Sequence, residues 1–175
     1  MEKKHHFTSD EKLKWFGYGE WVEEPDEALF VHEGIRCHVI RVVKPEMNGS
    51  KFGGHFCGYL EIPEGHPWHG QPSSQISCDV HGGITWTDFN ESKEFWIGFD
   101  CGHSNDLIPS MDYNRKTIPE LIQIQKEFEE RIKQFKNTPC SWLFESSYKN
   151  LNYVIEECKS VAVQAKAARD LSLQQ

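Results

Sequence analysis

The side chains best able to do chemistry crowd into one stretch of this chain. Asp79, His81, Asp100, Cys101, His103 and Asp106 fall within 28 residues, and Gly82 and Gly83 directly follow the first histidine. Imidazoles beside carboxylates exchange protons near neutral pH, so this set suits hydrolysis or cleavage of a phosphoester or related bond. In that reading His81 and His103 act as general base and acid, and Asp100 or Asp106 orients one imidazole and raises its basicity. Backbone N–H groups at Gly82-Gly83 and the Thr85 hydroxyl would hold an anionic oxygen. Arg36, Arg41 or Arg115 would neutralise phosphate. The two glycines can also take positive φ and let a ligand approach the backbone closely.

Other chemistries fit the same residues. His81 and His103 with one or two of Asp79, Asp100 and Asp106 form a His-carboxylate set for a divalent metal such as zinc or manganese, with water completing the shell. Cys78, His81, Cys101 and His103 could instead make a structural zinc site, although the sequence has neither a C-x-x-C pair nor HExxH there. A Cys101 nucleophile paired with His81 is disfavoured, because Asp100 beside it raises a thiol's pKa. The structural alternative is that Asp100 and Asp106 bond their own backbone in turns and that Gly82-Gly83 is a hairpin turn.

The elements that would position these groups are strands. Residues 77–80 and 84–87 are short β-favouring runs, and 94–100 is an almost continuous aromatic and aliphatic run, as expected of a central strand with both faces covered. Side chains just beyond such strands sit on a rigid support. Upstream, RCHVIRVV (36–43) alternates as a strand, and GGHFCGYLEI (53–62) reads as its partner across a loop containing Asn48-Gly49. Together they predict a mostly antiparallel sheet of about four to six strands.

Before the cluster lies PEGHPWHGQP, whose prolines and glycines signal an irregular loop. Its His66, Trp68 and His69 either stack on a base and bind phosphate or cap the core. The aromatic stretch WFGYGEWVEEPDEALF reads as a short helix followed by loop up to about Phe30. In the C-terminal third, Thr117-Ile118-Pro119-Glu120 matches a capping box, followed by Leu121, Ile122, Phe128, Ile132 and Phe135 at helical spacing. After the KNTPCSW break, Tyr148, Leu151, Val154, Ile155, Cys158, Val161 and Ala165 trace a second apolar stripe to about residue 168, which should cover the sheet. The tail RDLSLQQ is expected to fray. The fold class predicted is α+β, a sheet followed by helices packed on one side.

Composition bounds the function. At 175 residues the chain suits a single domain. Within it, 1–30 is an N-terminal aromatic and acidic segment, 31–110 the sheet with the candidate site, 111–147 a helical insertion and 148–168 the C-terminal helix. A net charge of −8 gives no general attraction for nucleic-acid backbones but leaves room for a small anionic nucleotide in a local basic pocket. No apolar run approaches the ~20 residues of a membrane span, and the charged start lacks a signal peptide's apolar centre, so a cytoplasmic protein with no membrane partner is expected. Without a secretion signal, its six cysteines are expected to be reduced.

The strand and loop GYLEIPEGHPWHG, the segments VHGGITW and WIGFDCGHSNDLIP, and the closing YKNLNYVIEECKSVA helix together resemble a family of small proteins common in phage and prophage genomes, most without an assigned function. The resemblance covers roughly residues 58–168, and its sharpest motifs are His-Gly-Gly-x-Thr and Phe-Asp-Cys-x-His-x-x-Asp. It implies a phage or mobile-element setting, hence the host cytoplasm, and supplies no reaction. Site chemistry and setting together suggest action on a small nucleotide, such as a host immune signal, by hydrolysis or cleavage. The alternative is a non-catalytic sponge that sequesters it. A sponge pocket would use Trp68, Trp86, Trp96, His66 and the Gly-Gly turn, built across a homo-oligomer interface.

Overall fold

Alternation of apolar residues on adjacent antiparallel strands builds one side of the core. The computed structural model describes residues 1–45, 51–133 and 146–174. Among these residues, six strands form one sheet: β1 (Glu2–Lys4), β2 (Glu27–His32), β3 (Ile35–Pro45), β4 (Lys51–Ile62), β5 (Trp86–Phe89) and β6 (Phe95–Asp100). Their order is β1-β2-β3-β4-β6-β5, with every pairing antiparallel. Cys37 of β3 opposes Leu60 of β4, which opposes Ile97 of β6, so their side chains share one face. Ile35, Val39, Phe56, Ile62, Phe95 and Phe99 complete that buried face. The β2–β3 hairpin turns through Glu33 and Gly34, both at positive φ, as a two-residue turn matched to strand twist requires.

Among the described residues, four α-helices complete the fold: α1 (Ser9–Phe16), α2 (Pro109–Thr117), α3 (Pro119–Lys133) and α4 (Leu151–Ser172). In α1, Thr8 and Glu11 form a reciprocal capping box. Along α4, Leu151, Val154, Ile155, Cys158, Val161, Ala162 and Ala165 are buried against the sheet, and Asn150 caps the first turn by accepting from the Tyr153 N–H. Close approach of α4 needs Gly58, where an added Cβ would fall 2.5 Å from the Phe99 ring and 2.7 Å from Cys158 Sγ. The protein is thus α+β, a six-stranded antiparallel sheet followed by a helix packed on it. No helix among the described residues is long and apolar enough to cross a membrane.

Several expectations change. The first thirty residues contain strand β1 and the start of β2 as well as the helix. Residues 77–80 are not a strand; Gln164 of α4 satisfies both the N–H and the C=O of Asp79. The strand expected at 84–87 begins at Trp86, after Thr85 donates its N–H to Gly98 O. Only one face of β6 enters the core, through Phe95, Ile97 and Phe99; on the other, Trp96 and Asp100 lie half-buried and Gly98 is buried beneath the Tyr59 ring. Thr117 closes α2 by donating its hydroxyl to the Tyr113 carbonyl, and a separate helix begins at Pro119. The helix expected to fray after residue 168 runs on to Ser172. Asn48-Gly49, Phe135, the whole KNTPCSW break and the side chains of Glu120, Phe128 and Ile132 lie outside the described residues.

A buried ion network lies at the end of the sheet where β6 finishes, since Arg41 opposes Phe56, whose carbonyl accepts the Cys101 N–H. Arg41 of β3 donates to Asp26 Oδ1 (2.7 Å), Gly54 O (2.7 Å), Tyr148 Oη (2.8 Å) and Glu24 Oε2 (2.9 Å). Asp26 also accepts the His6 and Phe7 N–H groups and pairs with Lys12 at 3.2 Å. Burial pushes the Asp26 carboxyl up, but Arg41 and the backbone donors outweigh it and hold it below its ordinary value. Asp26→Asn should therefore cost about 3–5 kcal/mol at neutral pH, as breaking a buried pair does. Because its folded pKa is depressed, Asp26 contributes stability above the ordinary carboxylate value and loses it as pH falls through the folded one. Thermal melts across acidic pH should show a steep decline in wild type and a flatter one in Asp26→Asn; parallel curves would contradict this assignment.

Candidate functional site

Two loops beyond the sheet bring the clustered residues together. The first, after the unpaired 77–80 segment, turns at His81 and Gly82, with the Gly83 N–H donating to Val80 O. The second leaves β6 at Asp100 and turns through His103 to Asp106, whose N–H donates to His103 O. Leu107 then bonds Ser147 O, fixing this turn to the chain just before α4. The loops meet at Gly82, where an added Cβ would lie 2.1 Å from His103 Cε1, so the imidazole packs directly on the glycine backbone.

Their meeting point is Asp106, with a side chain 1% exposed. One oxygen, Oδ2, lies 2.9 Å from His81 Nε2 and 3.2 Å from His103 Nδ1, and accepts the His103 backbone N–H at 2.9 Å. The imidazole centroids are 5.4 Å apart. On its far side His81 Nδ1 meets Tyr153 Oη at 3.2 Å, and the His81 backbone N–H donates to Glu157 Oε2 at 2.8 Å. Burial pushes the Asp106 carboxyl up, yet bonds from His81 and His103 more than offset it, leaving Asp106 an anion at neutral pH. Burial raises the Tyr153 phenol, which therefore stays protonated.

The other sequence candidates are placed differently. Asp100 serves its turn, accepting from Gly102 N and Thr85 Oγ1, and approaches the cluster only at 4.0 Å from His103 Nδ1. Asp79 is exposed, with its backbone held by Gln164. Burial and neighbouring carboxylates push the Cys101 thiol far up, and burial with Asp79 pushes Cys78 to about 11, so neither is a ready thiolate. His66 is buried and bridges Ala165 O and Trp68 N, while Trp68 enters the core and His69 packs on Phe89 and Phe95. Ala165 is twelve residues beyond Tyr153 on α4, roughly 18 Å along its axis. This loop is therefore remote from His81.

Trp86 and Trp96 lie on the sheet face opposite Trp68: Trp86 opposes Gly98 and meets the Tyr59 ring edge-on at 5.5 Å. Arg41 is committed to the buried network, and Arg36 pairs with Glu61 and Glu94. Arg115 of α2 lines the cleft beside the cluster. That cleft, about 300 Å³, is bounded by Gly102, His103, Ser104, Asp106, Leu107, Ile108, Met111, Asp112, Arg115 and Ser146.

Sequence reasoning missed Tyr153 and Glu157, whose i, i+4 spacing puts both on one edge of α4. It also missed His55, whose pKa burial lowers from its ordinary value and whose Nδ1 has no hydrogen-bond partner among the described residues. Among those residues, only His81, His103 and Asp106 form a His/Cys/Asp/Glu group suited to a metal, with one ligand atom from each within 4.8 Å of the others. The arrangement can exchange protons or hold a cation. No family model matches the chain, and neither a curated protein nor a solved structure matches it.

The two glycines separate packing from strain. Gly82 and Gly83 have φ of 68° and 80°, but an added Cβ at Gly83 meets nothing within 4 Å. Gly83→Ala should cost the backbone strain alone, about 1–2 kcal/mol. Gly82→Ala should cost more and displace His103, a difference that thermal melts and histidine NMR shifts will measure. Equal effects of the two substitutions would contradict the packing.

Proposed function

We propose that this protein hydrolyses a small anionic nucleotide in the cleft beside His103. The supporting observation is the convergence of His81 and His103 on one buried carboxylate oxygen at the edge of a cleft that Arg115 also lines. The cluster would take a proton from water as its oxygen bonds to phosphorus, while the scissile P–O bond breaks and the leaving oxygen gains a proton. Arg115 would neutralise the phosphate oxygens. The cleft lies at the small end of ligand-site volumes, which favours a compact nucleotide over a polymer. The overall charge of −8 agrees with that preference. In the phage setting that the sequence motifs suggest, the substrate would be a host signalling nucleotide.

A sponge built on Trp68, Trp86 and Trp96 has less support, because these residues occupy opposite faces of the sheet. The test is incubation with a panel of cyclic dinucleotides and ADP-ribose-type nucleotides, heat removal of the protein, and mass spectrometry of what remains. Multiple-turnover loss of one nucleotide is expected, with kcat reduced roughly 10²–10⁴-fold in His103→Ala and Arg115→Ala acting mainly on KM. Depletion before heating followed by intact recovery would overturn hydrolysis and make the cleft a sequestering site.

A further inference from the structure

We propose that His81 Nε2, His103 Nδ1 and Asp106 Oδ2 bind one zinc ion, with a fourth position open to the cleft. The inference rests on the hydrolytic reading for its purpose and on geometry for its substance. A carboxylate oxygen has two lone pairs, yet Asp106 Oδ2 has three nitrogens within 3.2 Å, one of them the His103 backbone N–H. A donated proton from each imidazole would overfill it. A cation among the three side chains removes the conflict, because each imidazole then presents a lone pair. Bonds of about 2.0–2.2 Å place tetrahedral ligands roughly 3.4 Å apart. The nitrogen-to-oxygen distances of 2.9 and 3.2 Å need only small outward movements to reach that spacing.

The surroundings fit such a site. His81 is held from behind by Tyr153 at Nδ1, the kind of partner that fixes the ring orientation of a ligating histidine. His103 and Asp106 both line the cleft, where substrate and water would enter. Two imidazoles and one carboxylate form a set typical of hydrolytic zinc, which would acidify the attacking water in place of proton abstraction by the imidazoles, whose cleft-side lone pairs it would occupy.

Untagged, chelator-treated protein should be titrated with zinc by calorimetry and with cobalt(II) by absorption spectroscopy. The His5/His6 double alanine variant controls for the adjacent N-terminal pair. One zinc per chain is expected, with a tetrahedral cobalt spectrum, loss of both in His81→Ala and His103→Ala, and about ten- to hundred-fold weaker binding in Tyr153→Phe. Failure of folded wild-type protein to bind stoichiometric zinc, or binding that survives both histidine substitutions, would overturn the site. Nucleotide turnover by metal-free protein would overturn the zinc inference and leave hydrolysis standing. Zinc bound at these residues without turnover of any nucleotide would uphold the site and remove the hydrolytic reading.

Discussion

The guanidinium of Arg41 is the buried charge around which the chain is assembled. It lies 4.3 Å over the Phe56 ring and joins β3 to Asp26, to Glu24, to the β4 backbone and to Tyr148. Glu24 also accepts from Tyr148 Oη and from the Leu151 N–H, one of the first-turn donors that no helical carbonyl can satisfy. One ion network thus sets where α4 begins. Tyr153 in that first turn and Glu157 one turn further on then reach His81, so the candidate site inherits its geometry from a charge cluster that it does not contain.

At the site, Asp106 plays a comparable part on a smaller scale. It bonds its own turn through the His103 N–H and also reaches His81 on the other loop. Turn residue and functional residue are therefore the same residue. The structural interpretation of Asp106 and the chemical one need not compete. Asp100 resembles it in sequence but binds Gly102 and Thr85, which leaves it a support for its turn at the margin of the cluster.

Much of the fold was legible because burial imposes a period. β3, β4 and β6 show alternation or a dense apolar run, and α4 repeats its apolar residues at helical spacing. β1 is Glu-Lys-Lys and carries no such signal; pairing with β2 creates it. Residues 77–80 favour β structure locally, but a glutamine side chain on α4 took the bonds that a neighbouring strand would have made. The local crowding of His81, His103 and Asp106 could be read directly, whereas their partners on α4 looked like the polar edge of an amphipathic helix. His66 and Trp68 carried the same residue types as a binding loop, yet they serve to pin that loop to the core.

Two separate loops place both imidazoles on Asp106, an arrangement that histidine-selective long-range ¹H–¹⁵N NMR of metal-free protein can read. The ring-nitrogen signals of His81 and His103 should shift together in Asp106→Asn, while those of His66, held by Ala165 O and Trp68 N, stay in place and report an intact fold. If either His81 or His103 keeps its wild-type signals in that folded variant, the two loops do not meet at Asp106.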